Sequence, residues 1–181
     1  MKLSATIFLA AIALFQSDPL EGRIVHREQS LYQTILVDDT GTRRCLQFSV
    51  RRDQRNQSCI DLKHPQQMVF TYTQMMMAGL LLAPDPQRIL MIGLGGGTLP
   101  LALNDLLPQV RIDIVEIDSA IVRIAREFFG FQSSERIKVF EMDGRIFTKR
   151  AVIREDQYDL IFLDAFNGDY IPEHLMTREY L

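Results

Sequence analysis

The sequence is poor in the residues that usually build metal centres and disulfide scaffolds. It contains two cysteines, three histidines and no tryptophan among 181 residues. These numbers leave little material for a metal cluster, and we expect no metal site. Charge of one sign is not in excess either, since 20 basic and 23 acidic residues give a net charge of −3. Proteins that bind nucleic acid usually carry a basic excess, so this class of function is disfavoured.

An apolar run near the N-terminus is too short to cross a bilayer as a helix. It extends from Leu3 to Phe15, thirteen residues, whereas a spanning helix needs about 20, so we expect no stable membrane insertion. With Lys2 before it, the run has the shape of a secretory signal peptide. We therefore assign residues 1–17 to a signal peptide, which predicts export to the periplasm or the cell exterior. A core-packing helix in a cytoplasmic protein and a truncated membrane anchor are the alternatives.

The rest of the chain has the composition of a globular protein, with 47% hydrophobic and 24% charged residues. Its length suffices to bury a sizeable core. Residues 23–65 are predicted to form a β-rich N-terminal domain, because short apolar runs alternate there with polar turns. The predicted strands are Ile35 to Val37, Cys45 to Val50 and Cys59 to Leu62.

The two cysteines flank a polar stretch, Arg51 to Ser58, that is typical of a hairpin tip. If the flanking runs pair, Cys45 and Cys59 lie near each other and could form a disulfide. The alternative is two separate, small, apolar thiols. The sequence alone favours the separate thiols.

Residues 66–181 are predicted to form a Rossmann-like α/β domain. Helical spacing of apolar residues at 66–82 comes first, and from Arg88 strands and helices alternate, which is typical of a mostly parallel sheet. The predicted strands are Ile89 to Ile92, Ile112 to Ile117, Ile137 to Phe140 and Leu160 to Leu163, and the helices Leu99 to Leu106, Ala120 to Phe129 and Arg145 to Ile153. The last residues, Thr177 to Leu181, resemble the opening of another helix. Four strands leave an uncovered sheet edge, so we expect the domain to be incomplete at its C-terminal end.

A glycine-rich turn, Gly93 to Thr98, joins the first of these strands to its helix. Such a turn lets backbone approach a ligand and directs helix N–H groups at it. Glu116 ends the second strand, 21 residues after Gly95, where an acid can accept both hydroxyls of a ribose. Together they predict a nucleoside-bearing ligand. Thr98 replaces the third glycine of a dinucleotide fingerprint, which argues against NAD.

Two further carboxylates end neighbouring strands. Asp143 follows the third strand and could accept a hydrogen bond from the exocyclic amine of an adenine, or simply cap the next helix. Asp164 follows the fourth strand, where a partly buried carboxylate can orient or deprotonate an amine. Since ligands bind at the carboxyl ends of parallel strands, Glu116, Asp143 and Asp164 are expected to line one crevice.

These motifs, in their order and spacing over roughly residues 28–181, resemble the spermidine synthase (polyamine aminopropyltransferase) family, in particular its divergent spermidine-synthase-like branch. The resemblance rests on Tyr32-Gln33, Tyr72, Ile89 to Gly93 with its glycines, Glu116-Ile117-Asp118, Asp143-Gly144 and Tyr158 to Asp164. It implies a small β domain on a Rossmann-like domain, a homo-oligomer, and transfer of an aminopropyl group. The donor would be decarboxylated S-adenosylmethionine, as co-substrate rather than tightly bound cofactor, and the acceptor a diamine such as putrescine.

The resemblance also implies roles for single residues. Asp164 would be the catalytic base, Glu116 would hold the ribose and Asp143 the adenine. The residues predicted to bind the donor are Gln33, Gly93, Gly95, Gly96, Gly97, Glu116, Asp143 and Gly144; those predicted to bind the amine substrate are Tyr72, Asp164 and Asn167.

Two positions depart from the family pattern. Family members usually carry aspartate where this chain has Gly96 and Asn167, so two negative charges are missing from a site for cations. Restoring either aspartate is expected to tighten binding of donor or polyamine. Gly96 would also relieve repulsion against a donor that keeps its carboxylate, so an S-adenosylmethionine-dependent methyltransferase is the first alternative. A catalytically weak protein that binds adenosyl ligands is the second.

Overall fold

The computed structural model describes residues 22–50, 53–166 and 170–180, with backbone alone at 49–50 and 53–55. The predicted signal peptide, residues 1–17, and the predicted substrate-binding residue Asn167 lie outside the described residues. Within them, no helix is long and apolar enough to cross a membrane.

The N-terminal part is a four-stranded antiparallel sheet in the order β1-β2-β3-β4. Its strands are β1 (Arg23–Gln29), β2 (Thr34–Thr40), β3 (Arg43–Val50) and β4 (Asp53–Asp61). The sequence predicted three of these strands and missed β1, whose residues are mostly charged or polar with a single apolar pair, Ile24-Val25. It also placed a hairpin tip at 51–58, whereas β4 already begins at Asp53, so most of that polar stretch is strand.

Cys45 and Cys59 form a disulfide. They are directly opposite each other in the pairing of β3 with β4, and both are buried. The expectation of two separate thiols was therefore wrong. This expectation was wrong because two short apolar runs in a sequence do not fix the register in which the two strands pair.

A short helix and a 3₁₀ turn lead from the first sheet to the second. Helix α1 covers Thr71–Met76, and the 3₁₀ segment covers Met77–Leu81. The sequence predicted one helix over 66–82, which is longer than the helix observed.

The second part is a parallel sheet with helices between its strands, as the sequence predicted. Its strands are β5 (Arg88–Ile92), β6 (Arg111–Glu116), β7 (Ile137–Glu141) and β8 (Leu160–Leu163), and its helices are α2 (Thr98–Leu106), α3 (Ser119–Phe128) and α4 (Gly144–Ile153). A 3₁₀ turn at Glu173–Leu175 follows, and one more turn is closed by the Tyr180 N–H on the Thr177 carbonyl at 2.9 Å.

The strand order of this sheet is β7-β6-β5-β8. The chain extends the sheet from β5 to β6 and β7, then returns to add β8 on the other side of β5. This reversal creates a crevice at the carboxyl ends of the strands, which is where ligands bind in open α/β sheets.

The two sheets share one apolar core. Buried side chains of β2, β3 and β4, among them Ile35, Leu46 and Ile60, pack in the same cluster as Ile89 and Met91 of β5. As a result, the N-terminal sheet covers the mouth of the crevice and supplies part of its wall.

Candidate active site

One large cavity, about 680 Å³, lies at the carboxyl ends of β5, β6 and β8. The N-terminal sheet closes it on one side, and the segment from Tyr170 to Leu175 closes it on another. A volume in this range suits a small molecule such as a nucleoside derivative. The polar residues in its lining include Tyr32, Gln33, Gln57, Ser58, Tyr72, Glu116, Asp118, Asp143, Asp164, Glu173 and His174.

The glycine loop contributes its backbone to this cavity. Gly93 has φ of 104°, and a Cβ there would collide with the Asp164 carbonyl oxygen, so the strand-to-loop turn requires glycine. Gly95, with φ of 54°, lines the cavity.

The next two glycines have a different environment. A Cβ on Gly96 would lie 2.7 Å from Ser58 Oγ and 2.9 Å from a Phe129 ring carbon, and one on Gly97 would lie 2.6 Å from the Phe131 ring. Neither glycine is part of the cavity lining. Both allow close packing of the loop, and their contact with a ligand stays a prediction.

Glu116 lies at the end of β6 and is buried. Its two carboxylate oxygens accept hydrogen bonds from the backbone N–H groups of Leu94, at 3.0 Å, and Asp118, at 2.9 Å. Burial raises the pKa of Glu116 to about 7, although these backbone bonds oppose the effect. The side chain thus ties the glycine loop to β6 and keeps free lone pairs at the cavity.

Asp118 adds a second carboxylate beside Glu116. Its Oδ1 accepts the backbone N–H of Ala120 at 3.0 Å and caps α3, whereas its buried Oδ2 has no hydrogen-bond partner among the described residues. The sequence supplied a signal for this residue, the Glu-Ile-Asp motif, but only Glu116 was assigned to the site.

Asp143 lies one strand further along, at the start of α4. Its Oδ1 accepts the backbone N–H of Ile146 at 2.9 Å, so it caps the helix, and its Oδ2 is 3.0 Å from Nε2 of His174. Both readings of the sequence, helix cap and cavity carboxylate, are therefore compatible with the geometry. Gly144, the next residue, packs closely against Ile92. A Cβ on Gly144 would lie 2.7 Å from a methyl carbon of Ile92.

Asp164 follows β8 and is anchored by its backbone N–H, which donates to the Ile92 carbonyl at 2.8 Å. Its carboxylate accepts a hydrogen bond from the Tyr72 hydroxyl. Burial raises the pKa of Asp164 to about 6, with the Tyr72 bond opposing the effect. Burial and the Asp164 charge together raise the pKa of Tyr72, which therefore stays a hydrogen-bond donor.

The structure brings most of the predicted site residues to one cavity. Its lining includes Gln33, Gly93, Gly95, Glu116, Asp143, Gly144, Tyr72 and Asp164. It also includes residues that the sequence did not indicate, such as Phe48 and Ser58 of the N-terminal sheet and His174 of the C-terminal segment. These come from elements far away in the chain, so no local motif could have signalled them.

The cavity has an acidic character. Five carboxylates line it, from Glu116, Asp118, Asp143, Asp164 and Glu173. In the part of the chain that the structure describes, no lysine or arginine joins them. A cavity of this kind favours a cationic ligand over an anionic one.

Comparison with known proteins places the chain in a family. A model of the spermine/spermidine synthase domain matches residues 69–181. The chain therefore belongs to the spermine/spermidine synthase family, as the motifs on the strand ends predicted.

Two proteins from this family illustrate the similarity. A polyamine aminopropyltransferase of Vibrio vulnificus is 44% identical over the whole chain, and the chain spans 62% of that protein. The crystal structure of a probable spermidine synthase from Corynebacterium glutamicum matches 87% of this chain and 58% of its own, with 26% identity and a TM-score of 0.68. The chain thus spans about 60% of the length of these relatives.

A different activity appears among the relatives as well. The mouse eEF1A lysine and N-terminal methyltransferase is 40% identical over 102 residues, which are 52% of this chain and 15% of that enzyme. The similarity of this chain to known proteins is hence not confined to aminopropyltransferases.

Proposed function

We propose that the chain carries the donor-binding and catalytic part of a polyamine aminopropyltransferase, which transfers an aminopropyl group from decarboxylated S-adenosylmethionine to a diamine such as putrescine. The observation that carries the proposal is the acidic cavity, with its five carboxylates and no lysine or arginine in the described lining. Both substrates are cations, a sulfonium and an alkylammonium, and carboxylates concentrate cations. Family membership and the Vibrio aminopropyltransferase support the same activity.

The donor would bind across the carboxyl ends of β5, β6 and β7. Glu116 would accept the ribose hydroxyls, since its carboxylate lies at the cavity next to the glycine loop. Asp143 would accept the adenine amine at the start of α4. Gln33 and the backbone of Gly93, Gly95 and Gly144 complete this part of the wall.

The chemical step is a displacement at the carbon beside the sulfonium. An alkyl amine has a pKa near 10.4 and arrives protonated, so it must lose a proton before its lone pair can attack. The Asp164 carboxylate takes that proton, a new C–N bond forms, the C–S bond breaks, and methylthioadenosine leaves. With a pKa of about 6, Asp164 is ionised at neutral pH and is a stronger base than an ordinary aspartate.

Tyr72 would assist this step by positioning. Its hydroxyl donates to Asp164 and so fixes one carboxylate oxygen, while the other stays available to the amine. The side chain of Asn167 would lie near the amine in this proposal, by resemblance to the family alone.

A decarboxylated donor is favoured because the described lining offers no lysine or arginine to a carboxylate. Ordinary S-adenosylmethionine would place its carboxylate among the five acidic groups. A methyltransferase is the second candidate function, and the similarity to the eEF1A methyltransferase favours it.

Calorimetry with decarboxylated and ordinary S-adenosylmethionine, each with and without putrescine, separates these candidates. We expect tight binding of the decarboxylated donor and formation of spermidine and methylthioadenosine. Binding of ordinary S-adenosylmethionine alone, with no aminopropyl transfer, would favour the methyltransferase. Ligand binding without any transfer would leave a binding protein.

We also propose that residues 1–17 direct export. The Cys45–Cys59 disulfide supports this, because disulfides persist in oxidising compartments. Fractionation of cells that produce the full chain tests it, with recovery of the protein only from the cytoplasm as the contrary result.

Self-association is proposed from the family resemblance. It is supported by apolar side chains that the described chain exposes, such as Leu81 and Leu82 at 84% and 88%. Light scattering on the purified protein tests it, and a monomer at micromolar concentration would contradict it.

A further inference from the structure

His174 lies at the adenine end of the cavity, in contact with Asp143. Its Nε2 is 3.0 Å from Asp143 Oδ2, and both residues line the cavity. A carboxylate only accepts hydrogen bonds, so Nε2 carries the hydrogen and donates to Asp143. It is also the only basic side chain in the cavity lining, as far as the structure describes the chain.

The segment that carries His174 is held in place by several contacts. Arg145 donates from Nη1 to the His174 carbonyl at 2.5 Å and to Thr177 Oγ1 at 2.9 Å. Leu175, the next residue, is buried against the apolar face of β5 and α4. The position of His174 beside Asp143 is thus fixed by its own backbone.

The two donors leave Asp143 with capacity for a ligand. Oδ1 takes the Ile146 N–H and Oδ2 takes His174, and each carboxylate oxygen keeps a second lone pair. A carboxylate held from both oxygens cannot rotate away from the cavity. Such partners hold a binding carboxylate in the orientation that its ligand needs.

We propose that His174 is a positioning residue for nucleoside binding, which acts by donating to Asp143 and holding that carboxylate toward the adenine amine. This inference rests on the proposed function, because it takes Asp143 as the acceptor for the adenine. The residue lies 31 positions after Asp143, on a 3₁₀ turn with no motif of its own.

The test measures the dissociation constant of methylthioadenosine by calorimetry on the full chain. In His174→Gln, the side-chain amide can replace Nε2 as donor to Asp143, whereas His174→Phe keeps a ring and loses the donor. We expect His174→Phe to weaken binding about tenfold, the usual worth of a charged hydrogen bond, and His174→Gln to stay within about twofold of the parent. His64→Phe, an exposed histidine away from the cavity, is the matched control and should bind like the parent.

Two results would overturn the inference. If His174→Phe binds methylthioadenosine as tightly as the parent, the contact has no role in binding. If His174→Gln loses as much affinity as His174→Phe, the ring and not the donated hydrogen bond is what matters. Thermal melting of each variant identifies a loss of affinity that is caused by unfolding. If His174→Phe is unfolded, the affinity of His174→Gln for methylthioadenosine decides whether the donated hydrogen bond matters. Failure of the parent itself to bind methylthioadenosine would instead refute the proposed function.

Discussion

Replacing Asp164 with asparagine tests the proposed base with little change of shape. The amide oxygen can still accept the hydrogen bond that Tyr72 donates to Asp164. What the variant loses is the negative charge and the ability to take a proton. We expect turnover to fall by roughly two to four orders of magnitude, the usual worth of a positioned base, while methylthioadenosine still binds.

The pH dependence of turnover should change with it. Since the pKa of Asp164 is about 6, the parent should gain activity as the pH rises through 6 and the carboxylate ionises. Asp164→Asn should lack this rise. Initial rates of spermidine formation between pH 5 and 8, at saturating donor, measure both effects.

The same substitution has a predictable effect on stability. The pKa of Asp164 is raised from 3.8 to about 6, so between these values the folded protein binds more protons than the unfolded chain. The proton on the folded protein's Asp164 carboxyl therefore stabilises the fold. This contribution is fully present below about pH 4 and is lost as the pH rises through 6. The difference in pKa corresponds to about 3 kcal/mol of unfolding free energy. Asparagine does not ionise, so Asp164→Asn should be up to about 3 kcal/mol more stable than the parent at pH 8.

A second aspartate, at the opposite end of β8, provides the control. Asp159 precedes β8 and accepts the backbone N–H groups of Gln87 and Arg88, which lower its pKa. Its stabilising effect is present at neutral pH and is lost as the pH falls, so Asp159→Asn should destabilise at pH 8. Urea unfolding at pH 4 and pH 8 compares the two variants. Unchanged turnover in Asp164→Asn, or lower stability than the parent at pH 8, would refute our assignment of a partly buried catalytic carboxylate.

Three other substitutions or treatments have defined outcomes. Glu116→Ala should weaken methylthioadenosine binding at least roughly 100-fold. It should also lower the melting temperature, because two backbone N–H groups lose their acceptor. Parental affinity in calorimetry would contradict the ribose assignment. Titration of the denatured, unreduced protein should find no free thiol, and reduction of Cys45–Cys59, 14 residues apart, should cost about 3 kcal/mol of stability; two titratable thiols would contradict the disulfide. Gly96→Asp should lower the melting temperature by several degrees and weaken donor binding, because a Cβ there meets Ser58 and Phe129; tighter binding in a stable variant would show that the loop can move.

The parallel sheet was predictable because each of its strands is a short, mostly apolar run and these runs alternate with segments of helical pattern. The predicted ends agree with the structure to within one residue for all four strands. Strand β1 was not predictable in this way, because its sequence, Arg23 to Gln29, is mostly charged or polar and half-exposed. Its place is decided by pairing with β2 and by packing on α3, where Arg123 forms an ion pair with Glu28.

The site was predictable where one rule about strand ends applied. Glu116, Asp143 and Asp164 each end a parallel strand, and the structure places all three in one cavity, as the rule requires. Ser58 and His174 escaped prediction because their positions depend on how separate elements pack, β4 over the glycine loop and the C-terminal segment over α4. A single sequence contains no local signal for such contacts.

The glycine loop shows that the absence of an aspartate from a motif does not by itself reduce the negative charge of the site. From the sequence, Gly96 removes an aspartate that would face the amine of the donor. In the structure, Gly96 is not part of the cavity lining. A Cβ at this position would meet Ser58 of the N-terminal sheet and Phe129 after α3, so these two residues occupy the space that a side chain would need. The charge that attracts a cation comes instead from the strand ends and from Asp118 and Glu173. Under the proposed function, selection between the two donors therefore depends less on an acid at position 96 than on a cationic partner for the donor carboxylate. The described lining contains no lysine or arginine that could be this partner.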